Sequence, residues 1–387
     1  MYSELKKYTI KSIIRLTSTS IVLQFFFIIL LLFVIIIIGD KMKKLFSYIT
    51  DFIKQEYKFL IVLFILLIIF EWPVNYYIVV GGGTSDVSSR IKVENKYKSK
   101  GSFNISYVEE LKGNVLTYLL SYVIYEWDRE DANLYKYNDN ESIEDIEFRS
   151  DLDLLTSNST ATYWAYTLAD KTVKKIDSKI YVITVYEEYD TEFKIGDQLL
   201  SINGITYDNV NDYKQYIQSF NENDKVRVKI LRNGKEKEFQ SKLYKYQDRL
   251  ILGIGLQLVN DYETDPKVSI KFKNGESGPS GGLITTLELY NQLTEKDLTH
   301  GLKIVGTGTI EEDGTIGSIG GVEHKLLGAV RAKANIFLVP DGDNYVDAGK
   351  YKKKHNLDIK IIKVKTIQEA IERIEEYNYR SLYEKNN

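Results

Sequence analysis

Apolar positions follow two regimes along this chain. Near the N-terminus they run continuously. Ile21 to Ile38 is an 18-residue stretch interrupted only by Gln24, and Phe59 to Phe70 is a second, shorter stretch. At a rise of about 1.5 Å per helical residue, the first nearly spans a hydrocarbon core and predicts a transmembrane helix. The second predicts another span, because Trp72, Tyr76 and Tyr77 beyond it suit a membrane–water interface. A buried core helix is the alternative for a run of that length. Lys41, Lys43, Lys44, Lys54 and Lys58 lie between the runs, and no basic residue follows the second until Arg90. The positive-inside rule then puts the inter-run loop in the cytoplasm and the large C-terminal part outside, against the pull of Lys6, Lys7, Lys11 and Arg15. Ile38-Gly39-Asp40-Lys41 offers no small-x-small cleavage site, which speaks against a cleaved signal peptide.

From Gly81 onward the pattern is polar with short apolar periods. Gly81–Ser85 predicts a flexible exit, residues 91 to 130 predict strands and a short helix, residues 126 to 150 an acidic loop, and Asp151–Lys175 a helix. Lys179–Val185 alternates as a strand does. A helix is predicted over Val210–Phe220. The strand Lys225–Leu231 then turns at Arg232-Asn233-Gly234-Lys235 into Phe239–Leu243, and Asn-Gly after an apolar strand is a strong hairpin signal. Together with Lys194-Ile195-Gly196-Asp197 and Ile202-Asn203-Gly204, this segment resembles a bacterial PDZ domain, a small β-barrel with helices. The resemblance implies that an extended peptide binds there by strand addition. The usual Gly-Leu-Gly-Phe loop is absent. Leu252-Gly253-Ile254-Gly255 is either its counterpart or an ordinary strand glycine pair.

Composition narrows the chemistry. The chain has 387 residues, no cysteine and three histidines, His300, His324 and His355. That excludes disulfides, cysteine nucleophiles, thiolate zinc sites and iron–sulfur clusters, and no HExxH motif is present. Residues 126 to 150 lack the glycine of an EF-hand loop, so calcium is not expected there, and the sequence offers no motif for another metal or a cofactor. A net charge of −3 without a basic block gives no reason to expect nucleic-acid binding. Catalysis would rest on hydroxyls, amines and carboxylates.

Two strings supply them. Asn274-Gly275-Glu276-Ser277-Gly278-Pro279-Ser280-Gly281-Gly282 opens into a predicted helix, Leu283–Leu293. Ser280 there is either a helix N-cap or a nucleophile beside free N–H groups. Gly320-Gly321-Val322-Glu323-His324-Lys325 begins another helix, on which Val322, Gly328, Ala329 and Ala332 fall on the side of Lys325. A lysine amid small apolar residues in a first helical turn is expected to have its amine biased toward the neutral form, as a general base requires. A snorkelling lysine at the core edge is the alternative. His324 points about 100° away and reads as structural.

The Gly-Pro-Ser-Gly-Gly and Gly-Gly-Val-Glu-His-Lys strings, 45 residues apart from serine to lysine, resemble the proteolytic domain of Lon proteases, together with Phe337-Leu338-Val339-Pro340 and the terminal Ile361–Ile374 segment. That resemblance implies an α+β fold, Ser280 as nucleophile, Lys325 as general base and Thr307 as a residue positioning the lysine amine. It also leaves a hexameric ring as a family-level expectation. The whole chain is similar to membrane-anchored PDZ–Lon proteases of Gram-positive bacteria. It departs from them at Gly281, where alanine is common, and in its two hydrophobic runs. No GxxxxGK[ST] string exists, so no ATP-driven unfolding is expected. The implied organisation is a membrane anchor over 1–80, an extracytoplasmic connector over 81–178, a PDZ domain over 179–246 and a Lon-type domain over 247–380. The implied activity is that of an ATP-independent, membrane-anchored serine endopeptidase acting on proteins or peptides. The alternative is a PDZ-based binding or scaffold protein with a non-catalytic Lon-like domain.

Overall fold

The computed structural model describes Ile29 and residues 40–124, 126–271, 273 and 275–386. They fall into two compact units, one ending at Val80 and including Glu110–Ala132, the other made of Gly81–Glu109 and everything from Asn133 onward.

In the first unit, helix α1 (Asp40–Glu71) is followed by strand β1 (Pro73–Val80), which lies between β5 (Glu109–Asn114) and β6 (Asp128–Asp131). Helix α2 (Val115–Leu120) starts at Asn114, which exchanges hydrogen bonds with Thr117 in a capping box. The second predicted span needs correcting. No helix among the described residues is long and apolar enough to cross a membrane. The Phe59–Phe70 run is the apolar end of α1, whose earlier turns carry Lys54, Glu56 and Lys58. At about 1.5 Å per residue it falls well short of a hydrocarbon core of about 30 Å. Beyond it the chain turns into a β-strand at Pro73. The first run, Ile21–Ile38, lies almost entirely outside the described residues.

In the second unit a PDZ-like antiparallel sheet has the order β10-β9-β8-β7-β13, built from β7 (Thr172–Val185), β8 (Gln198–Ile202), β9 (Lys225–Arg232), β10 (Lys235–Lys242) and β13 (Ile254–Asp265). The predicted hairpin is present, with Lys235 opposite Arg232 across the Asn233-Gly234 turn. Helix α4 (Val210–Ile217), capped by Asn209, covers a core of Val182, Phe193, Ile202, Tyr213, Val228 and Ile230. The Lys-Ile-Gly-Asp string has a structural role here. The fully buried Asp197 carboxylate accepts two hydrogen bonds from Arg232, at 2.6 and 2.7 Å, and one from the Lys194 N–H at 2.8 Å. A buried charge needs such pairing to be tolerated. A two-stranded ribbon, β11 (Tyr244–Tyr246) with β12 (Arg249–Ile251), leads into β13.

The second sheet is mixed, in the order β17-β16-β15-β4-β2. Its parallel centre is β4 (Ser102–Ser106), β15 (Lys303–Gly306), β16 (Ile336–Pro340) and β17 (Lys360–Val364), with β2 (Thr84–Asp86) antiparallel at one edge. Helices α6 (Val322–Arg331), α7 (Asp343–Lys354) and α8 (Ile367–Asn386) accompany it. Helix α5 (Gly282–Leu293) is buried along almost its whole length, beneath the long helix α3 (Ile143–Leu168). Leu283, Leu287, Ala161, Ala165 and Tyr166 share one core with Ile304, Ile336 and Leu338.

Three expectations change. Residues 84–106 are not a separate connector: β2 and β4 belong to the sheet that carries β15, and β3 (Ile91–Val93) pairs with β14 (Val268–Ile270). The segment 126–150 is not all loop, since β6, a 3₁₀ turn at Ala132–Tyr135 and the start of α3 lie within it. The division at 246/247 crosses a sheet, because β13 pairs along the length of β7, from Ile254 opposite Val185 to Asp265 opposite Thr172.

Candidate active site

The loop from Gly275 to Gly281 delivers Ser280 to the start of α5. Gly281, not Ser280, occupies the N-cap position, and no side chain caps the helix. The N-cap reading of Ser280 therefore fails, and its hydroxyl is not spent on the helix end. Among the described residues the N–H groups of Gly282 and Leu283 are already bonded, to Pro279 O at 3.1 Å and Gly308 O at 3.0 Å. Those of Ser280 and Gly281 make no backbone hydrogen bond to another described residue, which leaves two donors beside the serine.

The backbone of Ser280 is held from β15. Its carbonyl accepts from the Gly308 N–H at 2.8 Å and from the Thr307 hydroxyl at 3.2 Å. Thr307 is fully buried and donates its own N–H to Leu338 O at 3.1 Å. Resemblance implies that Thr307 positions the lysine amine, whereas the hydrogen bond described for its hydroxyl serves the serine backbone.

Lys325 lies in the first turn of α6, only 4% exposed, among buried Val322, Leu326, Gly328 and Ala329. The helix starts from Gly321 in a left-handed conformation (φ 64°), which a residue with a side chain adopts only at a cost. Lys325 is pinned by its carbonyl, which accepts from the Ser106 hydroxyl at 2.6 Å.

The end of β4 is what brings the two strings together. Ser106 holds Lys325. Ile105, its neighbour, lies opposite Gly306 in the parallel ladder, one residue before Thr307. Ile105 also packs so closely on Gly281 that an added Cβ would sit 2.8 Å from its Cδ1. Ser280, Lys325 and Thr307 are thus all anchored within one residue of the Ile105–Ser106 corner.

Several anchoring residues escape a reading of the sequence. Ser106, and on α3 Ser150 and Ser157, carry no motif. Yet the Ser157 hydroxyl donates to Pro279 O at 3.0 Å and Ser150 O accepts from the Gly278 N–H at 2.8 Å. Glu288, one face of α5 further on, is 2% exposed, and burial pushes its carboxyl up to about 7. On α3, burial and the neighbouring Glu147 charge push Asp151 up to about 6.

Ser106→Ala is expected to cost about 0.5–1.5 kcal/mol of stability by removing one buried hydrogen bond to the Lys325 carbonyl. It is also expected to lower kcat more than it raises KM, because Lys325 loses its fixed position. Ser106→Thr, which keeps the hydroxyl, is expected to restore much of both. Thermal melts and steady-state kinetics of the two variants check this.

Comparison with known proteins gives matches over two separate stretches of the chain. Residues 171–243 match the PDZ domain family, and residues 260–375 match the C-terminal proteolytic domain of Lon protease (S16). A Lon protease of Xanthomonas oryzae pv. oryzae is 32% identical over 97 residues, covering 25% of this chain and 11% of that protein. A Lon protease of Fusobacterium nucleatum is 30% identical over 113 residues, covering 28% and 14%. The chain therefore spans only about a tenth of the length of these relatives. Among solved structures, the PDZ domain of an SdrC-like protein from Listeria monocytogenes is 22% identical, covering 21% of this chain and 92% of that one, with a TM-score of 0.21. The corresponding domain from Listeria innocua is 24% identical, covering 20% and 92%, with a TM-score of 0.20.

Proposed function

The chain joins a PDZ domain to the proteolytic domain of a Lon-type serine peptidase, and from that premise we propose that it cleaves proteins internally through a Ser280–Lys325 dyad without ATP. The carrying observation is the Ile105–Ser106 corner, which anchors both strings. In the proposed cycle the neutral Lys325 amine takes the Ser280 hydroxyl proton as Oγ attacks the scissile carbonyl. The N–H groups of Ser280 and Gly281 receive the oxyanion. As the C–N bond breaks, the lysine ammonium gives its proton to the leaving amine. Water, deprotonated by the same lysine, then hydrolyses the ester and regenerates Ser280. Thr307 and Ser106 are positioning residues.

Substrate presentation falls to the PDZ sheet. Strand β13 is one of its two edges and contacts α4, and an extended segment added there gains backbone hydrogen bonds. The absence of a GxxxxGK[ST] string supports ATP independence. The Ile21–Ile38 run supports a membrane tether, and the charge asymmetry of the sequence supports an extracytoplasmic catalytic part acting on proteins at the same surface.

The test is incubation of the purified protein with an unfolded protein in nucleotide-free buffer, with products identified by mass spectrometry. Internal cleavage at discrete positions is expected. Cleavage that appears only on adding ATP, or none at all, overturns the proposal.

A further inference from the structure

The unit that contains β1 has apolar surface in two places that meet. At the end of α1, Phe59, Ile61, Val62 and Phe64 are all exposed, and at about 100° per residue they spread over more than half of the helix wheel. Positions on the remaining arc, Leu60 and Leu63 among them, are apolar too and only half-buried. A protein partner covers one face of a helix, whereas an end that is apolar on every side fits a medium that surrounds it. Helix α2 starts from that end: the Val115 N–H donates to Trp72 O at 3.0 Å, and α2 contacts α1. Its turns continue past Leu120, whose carbonyl accepts from the Val123 and Ile124 N–H groups at 2.9 and 2.8 Å. One side of this short helix is used within the unit. Tyr118 packs against Tyr76 with ring centroids 5.0 Å apart, and the Arg129 guanidinium lies 3.8 Å over the Tyr122 ring. The other side carries Leu116, Leu119, Leu120 and Val123, the i, i+3, i+4, i+7 spacing of one apolar stripe, and Val123 is 82% exposed.

We propose that this stripe is a membrane-contact surface: α2 lies in the plane of a lipid surface, with Leu119, Leu120 and Val123 at the acyl boundary beside the end of α1. The inference rests on the membrane association proposed above and adds a contact separate from the Ile21–Ile38 run. Three observations carry it. The apolar end of α1 is about 18 Å long, too short to cross a bilayer but the length of an interfacial or re-entrant segment. Trp72, 64% exposed, follows that end, and the exposed Tyr122 precedes Val123, so amphipathic rings flank the aliphatic side chains as they do at headgroup level. On the neighbouring β6, Asp128, Glu130 and Asp131 outnumber Arg129, so the contact is apolar rather than electrostatic and a zwitterionic lipid suffices. The sheet β5–β1–β6 is then held at the membrane by two points rather than hung from one.

The chain has no cysteine, so single cysteines can be introduced into the whole protein and spin-labelled. Val123→Cys and Leu119→Cys, both at exposed positions, are compared with Lys237→Cys on the exposed strand β10, in vesicles of phosphatidylcholine. Collision with oxygen, which concentrates in lipid, and with a water-soluble nickel chelate reads the depth of each label. The labels at 119 and 123 are expected about 5–10 Å into the headgroup and acyl boundary, where oxygen collisions dominate. The label at 237 is expected to show the reverse, with the nickel chelate dominating. A chain that floats with vesicles while both α2 labels report water keeps the tether and overturns this contact. Spectral broadening at Val123→Cys that vanishes on dilution with unlabelled protein assigns the face to a second copy and also overturns it. An alkaline carbonate wash reads the tether separately: labels in lipid on a chain that the wash releases keep the contact and sink the tether.

Discussion

Ser280→Ala is expected to lower peptide-bond turnover by about 10³-fold or more and to leave the melting temperature unchanged. The rate loss follows from removing the atom that forms the acyl-enzyme, and single deletions in such constellations cost about as much as removing the whole set. Stability is spared because the anchors described for Ser280 run through its backbone carbonyl, to Gly308 N–H and the Thr307 hydroxyl, neither of which the substitution touches. Lys325→Met is expected to give a similar loss. Methionine fills much of the lysine volume among Val322, Leu326 and Ala329, so the variant avoids a cavity at a position only 4% exposed. The double variant is expected to be no slower than either single one, since a nucleophile and its base act as a unit. Steady-state kinetics on one unfolded substrate checks all three. Undiminished turnover in Ser280→Ala removes the mechanism, and turnover retained only in Lys325→Met moves the base elsewhere. A chain that binds partners but processes none, with wild type and Ser280→Ala indistinguishable, is the behaviour of the rival binding module.

The two motif strings were legible because their chemistry demands local features. Gly278-Pro279-Ser280-Gly281 needs small residues where Ile105 approaches within contact of the backbone, and Gly321 must begin α6 from a left-handed conformation. The hairpin at Asn233-Gly234 was legible for the same reason. What joins the strings was not. Ser106 reaches Lys325 across 219 residues of sequence and Ser157 reaches Pro279 across 122, and a lone serine in a polar stretch leaves no local trace of such a partner. The pairing of strand β4 was likewise hidden: its parallel register with β15, Phe103 opposite Ile304, is a long-range contact that periodicity does not encode. The Phe59–Phe70 run misled in the opposite direction. Its apolar content is genuine, but the charges before it and Pro73 after it leave it too short to span. Helix α5 was placed almost to the residue, while the burial of Glu288 within it went against the expectation for a carboxylate.

That buried carboxylate gives a second prediction. Glu288→Gln is expected to stabilise the protein by about 3 kcal/mol above pH 7 and by almost nothing near pH 4. Burial raises the Glu288 carboxyl from its ordinary value of 4.5 to about 7. The folded state therefore holds the proton more tightly than the unfolded chain does. For a carboxyl raised in this way, the stabilising contribution is complete below 4.5 and is lost as pH climbs through about 7, where the folded state must either bury a charge or open. The shift corresponds to about 3 kcal/mol. Local geometry agrees with a bound proton. Glu288 Oε1 accepts from Gln292 Nε2 at 2.6 Å, while Glu288 Oε2 and Gln292 Oε1 are both buried without a partner. A proton on Oε2 supplies a donor where two acceptors otherwise face an apolar surrounding. Glutamine supplies one permanently, with nearly the same shape and no charge. Melting temperatures of wild type and Glu288→Gln across pH 4 to 9 test it. The gap between the two should open from about pH 4.5 and level off above 7. A gap of equal size at both ends would mean that packing, not the proton, separates them. Because α5 begins two residues after Ser280, the same titration is expected to loosen the base of the nucleophile loop as pH rises. Amide protection factors along Gly282–Leu293, corrected for the intrinsic pH dependence of exchange, should therefore fall over that window in wild type and stay flat in the variant.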